Sequence, residues 1–146
     1  MNVDIITMAK TIFGEARGEY KRADGGINSL IAIGNVVMNR YTGSDYTIEQ
    51  VCLKPSQFSC WNTDDPNCNI LKNISIENEI YRICLDISEQ IINEKIGDIT
   101  NGATHYYSKI LRKAPYWAKD HDPVFEIGRH LFFKLPFVKS FRNKSF

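Results

Sequence analysis

The sequence predicts a mainly helical α+β domain with a small antiparallel β-sheet or hairpin toward the C-terminus. Three stretches with apolar side chains at helical spacing occupy the first hundred residues. Beyond Gly97 the composition changes to β-branched and aromatic residues interrupted by glycine and proline, which is typical of short strands. A chain of 146 residues is long enough for one hydrophobic core, so we expect a single domain over residues 1–146.

The first predicted helix carries a carboxylate near its expected end, in the stretch Phe13–Glu19. Apolar residues from Ile5 to Ala16 fall in one arc roughly 160° wide at 100° per residue. Glu15 projects just beyond the edge of that arc. A carboxylate there would be partly desolvated yet open to a cleft, which favours the protonated form that a general acid needs. The alternative is an ordinary amphipathic helix whose Glu15 faces solvent.

The second predicted helix begins near Gly26 and runs to Arg40. Its apolar side chains occupy most of the circumference, which indicates a helix buried in the middle of the domain. Asn28, Asn35 and Asn39 form one polar stripe along it. The stripe is either the exposed side of the helix or a row of amides facing a cleft, where they would bind sugar hydroxyl and acetamido groups.

Residues 41–73 are expected to form loops and short helical turns, and long connections of this kind often line sites. Their most distinctive part contains an amide, a hydroxyl and two aromatic rings: Gln57, Phe58, Ser59, Cys60 and Trp61. This composition suits carbohydrate, whose hydroxyls need polar partners while its C–H faces stack on aromatic rings. Alternatively, Phe58 and Trp61 only anchor the loop to the core.

A third helix is predicted from Ser75, as its N-terminal cap, to about Lys95 and Gly97. Isoleucines from Ile76 to Ile91 define its buried stripe, and Cys84 lies on the same face as a small core residue. We expect this helix to serve as scaffold.

Short strands are predicted at residues 104–108 and 124–134, with Pro115–Ala118 in the connection between them. Tyr106, Tyr107 and Trp117 are candidates for stacking on sugar rings, and the alternative is that they are core aromatics.

Charge and hydropathy exclude several partner classes. The net charge of +1 offers no global argument for nucleic acid or membrane binding, so we expect neither, and a monomer is the simplest assembly. The sequence contains no run of about 18 apolar residues, so no membrane-spanning helix is expected. The amino terminus lacks the features of a secretory signal, which leaves the route of export open. The basic segment 135–146 would either contact an anionic polymer or be a frayed end.

Four cysteines are present, and we expect reduced thiols because a chain of this size does not depend on disulfides. Cys60 and Cys68 are the favoured pair if oxidation occurs. A zinc site is an alternative, but the spacing lacks a Cys-x-x-Cys knuckle, so no metal or other cofactor is expected.

Five blocks of the sequence, taken in order, resemble the SleB-like cell wall hydrolase family. They are FGEARGE at 13–19, NVVMNR at 35–40, QFSCW at 57–61, GATHYY at 102–107 and IGRHLFF at 127–133, within a region from about 5 to 134. The resemblance implies a lysozyme-like domain that cleaves peptidoglycan glycan strands at the bacterial cell wall. It also implies that Glu15 is the catalytic acid and that the 57–61 block borders the substrate cleft. His130, which belongs to the last family block, is a further candidate for substrate binding. At the 57–61 block, better-known members of the family commonly carry Ala-Phe-Thr or a similar sequence. This difference leaves the preferred type of peptidoglycan open.

The sequence offers no obvious second carboxylate for a hydrolytic glycosidase. Glu19 is a candidate only if the first helix continues past Gly18, and the other acids are scattered in predicted loops. A lytic transglycosylase needs only one glutamic acid. The resemblance to the family also implies a lytic transglycosylase. A muramidase acting on the same bond is the alternative. Two further classes are an inactive wall-binding module and a metal-dependent wall amidase using His105, His121, Asp122 and His130.

Overall fold

The structure is a computed structural model that describes residues 2–55 and 57–137. Its elements in chain order are helices α1 Val3–Tyr20, α2 Ile27–Tyr41, α3 Ile48–Leu53, α4 Pro66–Asn73 and α5 Glu79–Ile92, and strands β1 His105–Ser108, β2 Phe125–Ile127 and β3 His130–Phe133. Two short 3-10 turns, Ser59–Trp61 and Tyr116–Ala118, complete the architecture. Most of the basic segment predicted at 135–146 lies outside the described residues.

The core lies where α1, α2 and α5 pack together. Met8, Ile12, Ile33, Val36 and Ile87 are all at most 1% exposed. These side chains belong to the apolar stripes that the sequence predicted, and the extent of α2 agrees with the prediction to within one residue. Burying them removes apolar surface from water, which is the main favourable contribution to folding.

Helix α1 extends farther than predicted. The expected end near Glu15 is wrong, because the helix continues through Gly14 and Gly18 to Tyr20. Tertiary contacts explain this: Gly14 packs closely against Cys60, which offsets the low intrinsic helix propensity of glycine. Glu15 therefore lies in the interior of the helix, and Glu19 follows one turn later.

Helix α5 begins later than predicted, at Glu79 instead of Ser75. Its cap is Asn78, whose side chain accepts a hydrogen bond from the backbone N–H of Tyr81 at 3.0 Å. Ser75 instead accepts from Glu77 in a turn, and Ile76 is 63% exposed and lies outside the helix. Residues 41–73 are also more helical than expected, since they form α3 and α4 as well as a 3-10 turn.

The predicted β-structure is confirmed as a three-stranded antiparallel sheet with the order β1-β3-β2. Its register pairs Tyr106 with Phe132 and Ser108 with His130. Phe132 is fully buried and connects the sheet to the helical core. Tyr106 in β1 forms a hydrogen bond with Glu15 in α1.

All four cysteines are buried free thiols in the structure. Cys84 belongs to the core, as predicted. Cys60 and Cys68, the favoured disulfide pair, contact the backbone carbonyls of Thr11 and Trp61 respectively. Burial raises the pKa of the Cys84 thiol to about 12, so this thiol stays protonated at neutral pH.

Candidate active site

A cleft of about 690 Å³ separates helix α1 from the sheet. One wall comes from α1 and the segment between α3 and α4, and the other comes from β1 and the connection that follows it. The residues that line it are Gly14, Glu15, Arg40, Gln57, Ser59, Asn62, Asn67, His105, Tyr106, Tyr107, Ser108, Leu111, Pro115, Tyr116, Trp117 and His130. A cleft of this size, with mixed polar and aromatic walls, is suited to binding a small part of a carbohydrate chain.

Glu15 lies in this cleft with both carboxylate oxygens hydrogen-bonded. Oε2 accepts from the backbone N–H of Cys60 at 2.9 Å and from the hydroxyl of Ser59 at 3.4 Å. Oε1 accepts from the phenol of Tyr106. The carboxylate is thus held in one orientation by groups from the 3-10 turn and from β1.

Tyr106 keeps its proton in this environment. Burial, followed by the negative charge of Glu15, raises the pKa of Tyr106 well above its ordinary value. Its ring lies edge-on to that of His130, with centroids 5.2 Å apart. The phenol therefore acts as a hydrogen-bond donor to Glu15 rather than as a second negative charge in the cleft.

The absence of a side chain at Gly14 allows the 3-10 turn to approach α1. A Cβ atom at this position would lie 2.6 Å from Cys60 Cβ and 2.8 Å from Cys60 Sγ, closer than side chains pack. The same close approach brings the Cys60 N–H to Glu15. Gly14 thus contributes to the geometry of the carboxylate through this close approach.

Glu19, one turn beyond Glu15, is not available in the cleft. It is 4% exposed and accepts hydrogen bonds from Arg129: from the backbone N–H at 2.8 Å, from Nε at 2.9 Å and from Nη2 at 2.6 Å. Burial acts to raise the pKa of Glu19, but the hydrogen bonds and charge of Arg129, together with the charge that His130 carries at acidic pH, outweigh it and lower that pKa. This ion pair fastens the β2–β3 turn to α1 and so helps to position the sheet.

Arg40, at the end of α2, is a cleft residue that sequence reasoning missed. It is 5% exposed, and its Nε donates to the carbonyl of Thr104 at 2.7 Å. Burial lowers its pKa to about 10, so it remains a cation at neutral pH. A charged residue in an otherwise apolar buried helix was the signal that could have identified it.

Both histidines of the cleft are neutral at pH 7. Burial and the charge of Arg40 lower the pKa of His105 to about 4. Burial also lowers the pKa of His130, with the acids Glu19 and Glu15 opposing the shift. His130 is 6% exposed, and its Nδ1 has no hydrogen-bond partner among the residues that the structure describes.

Six of the predicted substrate-binding residues line the cleft together with Glu15: Gln57, Ser59, Tyr106, Tyr107, Trp117 and His130. Phe58 and Trp61 do not. The ring of Phe58 is 1% exposed in the core, and Trp61 packs against the core with its Nε1 donating to Thr11 Oγ1 at 2.9 Å. These contacts favour the alternative that both rings anchor the loop to the core, and a binding role for them stays a prediction.

The asparagine stripe of α2 is structural. Asn35 accepts from the backbone N–H of Ile99 at 3.0 Å, and Asn39 donates to the carbonyl of Ala103 at 2.9 Å. Asn28 is exposed. These amides connect α2 to the segment before β1 and do not line the cleft.

Asn62, Asn67 and Tyr116 line the cleft although no periodic pattern in the sequence indicates them. Tyr116 is 91% exposed at the rim. Asn67 lies at the start of α4, and its Oδ1 accepts from Arg17 Nη2 at 2.6 Å. Loop residues such as these come together only through the fold.

Over residues 2–55 and 57–137, no group of three or more His, Cys, Asp or Glu side chains is placed to hold a metal ion. The candidate ligands His105, His121, Asp122 and His130 are therefore not assembled into such a group. Within the same part of the chain, no helix has the length and apolar character needed to cross a membrane.

Comparison with known proteins places the chain in a class of enzymes. The sequence pattern of the family described as Cell Wall Hydrolase matches residues 26–133, and no curated protein matches the chain. The chain belongs to the cell wall hydrolase family, and is thus an enzyme of cell wall degradation. The matched stretch begins after α1, so the assignment does not depend on Glu15.

Two solved structures share the fold. The catalytic domain of Bacillus cereus SleB aligns with a TM-score of 0.63 and 23% identity, over 90% of this chain and 89% of that one. The catalytic domain of the germination-specific lytic transglycosylase SleB from Bacillus anthracis aligns with a TM-score of 0.65 and 23% identity, over 90% of this chain and 93% of that one. The expected lysozyme-like fold is thereby confirmed.

Proposed function

We propose that the protein is a peptidoglycan lytic transglycosylase that cleaves the bond between N-acetylmuramoyl and N-acetylglucosaminyl residues. One observation carries the proposal: among the described residues, Glu15 is the only acidic side chain that lines the cleft. A hydrolytic glycosidase normally uses a pair of carboxylates flanking the scissile bond. A single carboxylate suits a reaction in which the substrate supplies its own nucleophile.

The other candidate carboxylates are engaged or lie elsewhere. Glu19 is bound to Arg129, and Asp64 and Asp65 line a separate depression beside α4. Asp120, Asp122 and Glu126 are exposed and do not line the cleft. A water-activating base opposite Glu15 is therefore missing from the part of the chain that the structure describes.

In the proposed reaction Glu15 begins as the acid and gives its proton to the glycosidic oxygen as the C1–O bond breaks. The resulting carboxylate then removes the proton from the muramoyl 6-hydroxyl, whose oxygen bonds to C1. The products are a 1,6-anhydromuramoyl end and a free sugar hydroxyl, with no water consumed. Glu15 regains its proton in the second step, so the cycle closes.

Tyr106 is suited to both halves of this cycle. A phenol can donate to a carboxylate or accept from a carboxylic acid, so its contact with Glu15 is compatible with both protonation states. The Cys60 N–H stabilises the carboxylate that forms after the first transfer. Tyr107 and Trp117 supply aromatic surface on the sheet side of the cleft for the C–H faces of the sugars.

The test is mass spectrometry of the soluble fragments released from purified peptidoglycan. The wild type is expected to release fragments with anhydromuramoyl ends, and Glu15→Gln is expected to release none. Glu89→Gln, an exposed change on the scaffold helix α5, is the matched control and should behave as wild type. Reducing ends would instead identify a muramidase, and release of fragments by Glu15→Gln would exclude Glu15 as the acid.

A further inference from the structure

Two amide side chains of the cleft have their oxygen atoms engaged by arginines. Asn67 Oδ1 accepts from Arg17 Nη2 at 2.6 Å, and Gln57 Oε1 accepts from Arg40 Nη1 at a longer 3.4 Å. A guanidinium group has donors and no acceptor. Each amide must therefore direct its oxygen at the arginine, which determines the position of the NH₂ group as well. Both amides line the cleft.

The arginines that orient these amides are themselves held by the protein. The Arg17 guanidinium lies 4.9 Å from the centroid of the Phe13 ring and donates to the Phe13 carbonyl at 3.3 Å. The Arg40 guanidinium lies 4.8 Å from the centroid of the Phe58 ring. Neither amide can easily rotate its oxygen toward a ligand, because doing so would turn its NH₂ group toward an arginine N–H and place two donors against each other.

We infer that Asn67, with Gln57, makes the cleft select N-acetylated over de-N-acetylated sugars. This inference rests on the proposed function and names which feature of the glycan strand the same site recognises. An acetamido group presents a carbonyl oxygen, which is the acceptor that an amide NH₂ requires. A free amino sugar presents an ammonium group instead, which has only donors and would face two further donors.

The charges around the cleft agree with this selection. Arg17 and Arg40 place two positive charges behind the amides, and these repel an ammonium group. Glu15 is the one acidic side chain among the described residues that line the cleft, and its oxygens already accept from three donors. A site whose donors are left unpaired by the wrong substrate discriminates strongly against it.

The experiment compares cleavage of one peptidoglycan preparation before and after treatment with a glycan N-deacetylase, which leaves the stem peptides unchanged. Wild type is expected to cleave the N-acetylated strands at least about tenfold faster. Asn67→Asp has the same shape and still accepts from Arg17, but it loses both N–H donors. We expect its kcat/KM on N-acetylated strands to fall roughly tenfold to a hundredfold and its preference to shrink or reverse.

Asn69→Asp is the matched control, because Asn69 is an exposed residue of the same helix outside this cleft. It should keep the wild-type rate and preference, which separates the loss of donors from the added charge. Thermal unfolding of Asn67→Asp should occur at or above the wild-type temperature, since its bond to Arg17 gains charge.

Three results would count against this inference. If Asn67→Asp keeps the wild-type rate and preference, then Arg17 and Asn67 only connect α1 to α4. Equal cleavage of both preparations by wild type would overturn the selectivity while leaving the proposed function in place. Release of no fragments from either preparation would overturn the proposed function, and the inference with it.

Discussion

Replacement of Gly14 by alanine tests how the carboxylate of Glu15 is positioned. The added methyl group would lie 2.6 Å from Cys60 Cβ and 3.2 Å from Leu71 Cδ1. Because carbon atoms pack at about 3.5–4.0 Å, the 3-10 turn must retreat by about 1 Å. The Cys60 N–H, now 2.9 Å from Glu15 Oε2, would then lie beyond about 3.5 Å and lose its hydrogen bond.

The expected effect on stability is small, whereas the effect on activity is large. Overpacking costs about 1–3 kcal/mol, and replacing glycine by alanine inside a helix returns roughly 1 kcal/mol. The net loss should be about 0–2 kcal/mol, measured by chemical denaturation. We expect peptidoglycan cleavage to fall by about tenfold, because a carboxylate that loses one oriented donor is less well stabilised as it forms.

Gly18→Ala is the matched control on the same helix. A methyl group there would lie 3.7 Å from Arg129 Nη2, an ordinary contact. This variant should be about 1 kcal/mol more stable than wild type and equally active. If Gly14→Ala were as stable and as active as Gly18→Ala, the close approach would have no part in positioning Glu15. Adding Cys60→Gly to Gly14→Ala removes the two closest opposing atoms, Cys60 Cβ and Sγ, and should restore part of the activity.

Two further predictions concern neighbours of Glu15. Tyr106→Phe removes the hydroxyl group but keeps the aromatic ring, so kcat should fall roughly tenfold with a smaller change in KM. An unchanged kcat with a raised KM would instead assign Tyr106 to stacking alone. Glu19→Gln breaks the pair with Arg129 and should cost roughly 2–4 kcal/mol in the free energy of unfolding at pH 7. Because the pKa of Glu19 is lowered on folding, its stabilising contribution is complete above the ordinary carboxyl pKa and is lost as the pH falls through the folded value. The difference between wild type and Glu19→Gln should therefore shrink on acidification, and a difference that grows would contradict this account.

Much of the fold could be predicted because its local signals are strong. Apolar spacing identified α1, α2 and α5, and the change in composition after Gly97 identified the strands. The predicted helix boundaries were less accurate where tertiary contacts determine the end of a helix. The close contact of Gly14 with Cys60 lets α1 continue where the glycines suggested an end, and Asn78 rather than Ser75 caps α5.

The candidate site was predictable only in part, for a related reason. Composition cannot tell a buried ring from a ring in a cleft. It therefore predicts the same role for Phe58 and Trp61 as for Tyr107 and Trp117, although only the latter two line the cleft. The position of Arg40 in the cleft was not predicted, because a single cation in an apolar helix carries no spacing pattern.

The sequence by itself determined the helices, the small sheet and the position of one carboxylate near the amino terminus, because periodicity and short motifs are local properties of the chain. Tertiary structure alone decided what surrounds that carboxylate. It brought the Cys60 N–H and the Tyr106 phenol to Glu15 and occupied Glu19 with Arg129. It also brought two amides to the cleft wall and paired their oxygens with arginines. These contacts join residues far apart in the chain, and only packing of the core sets their distances.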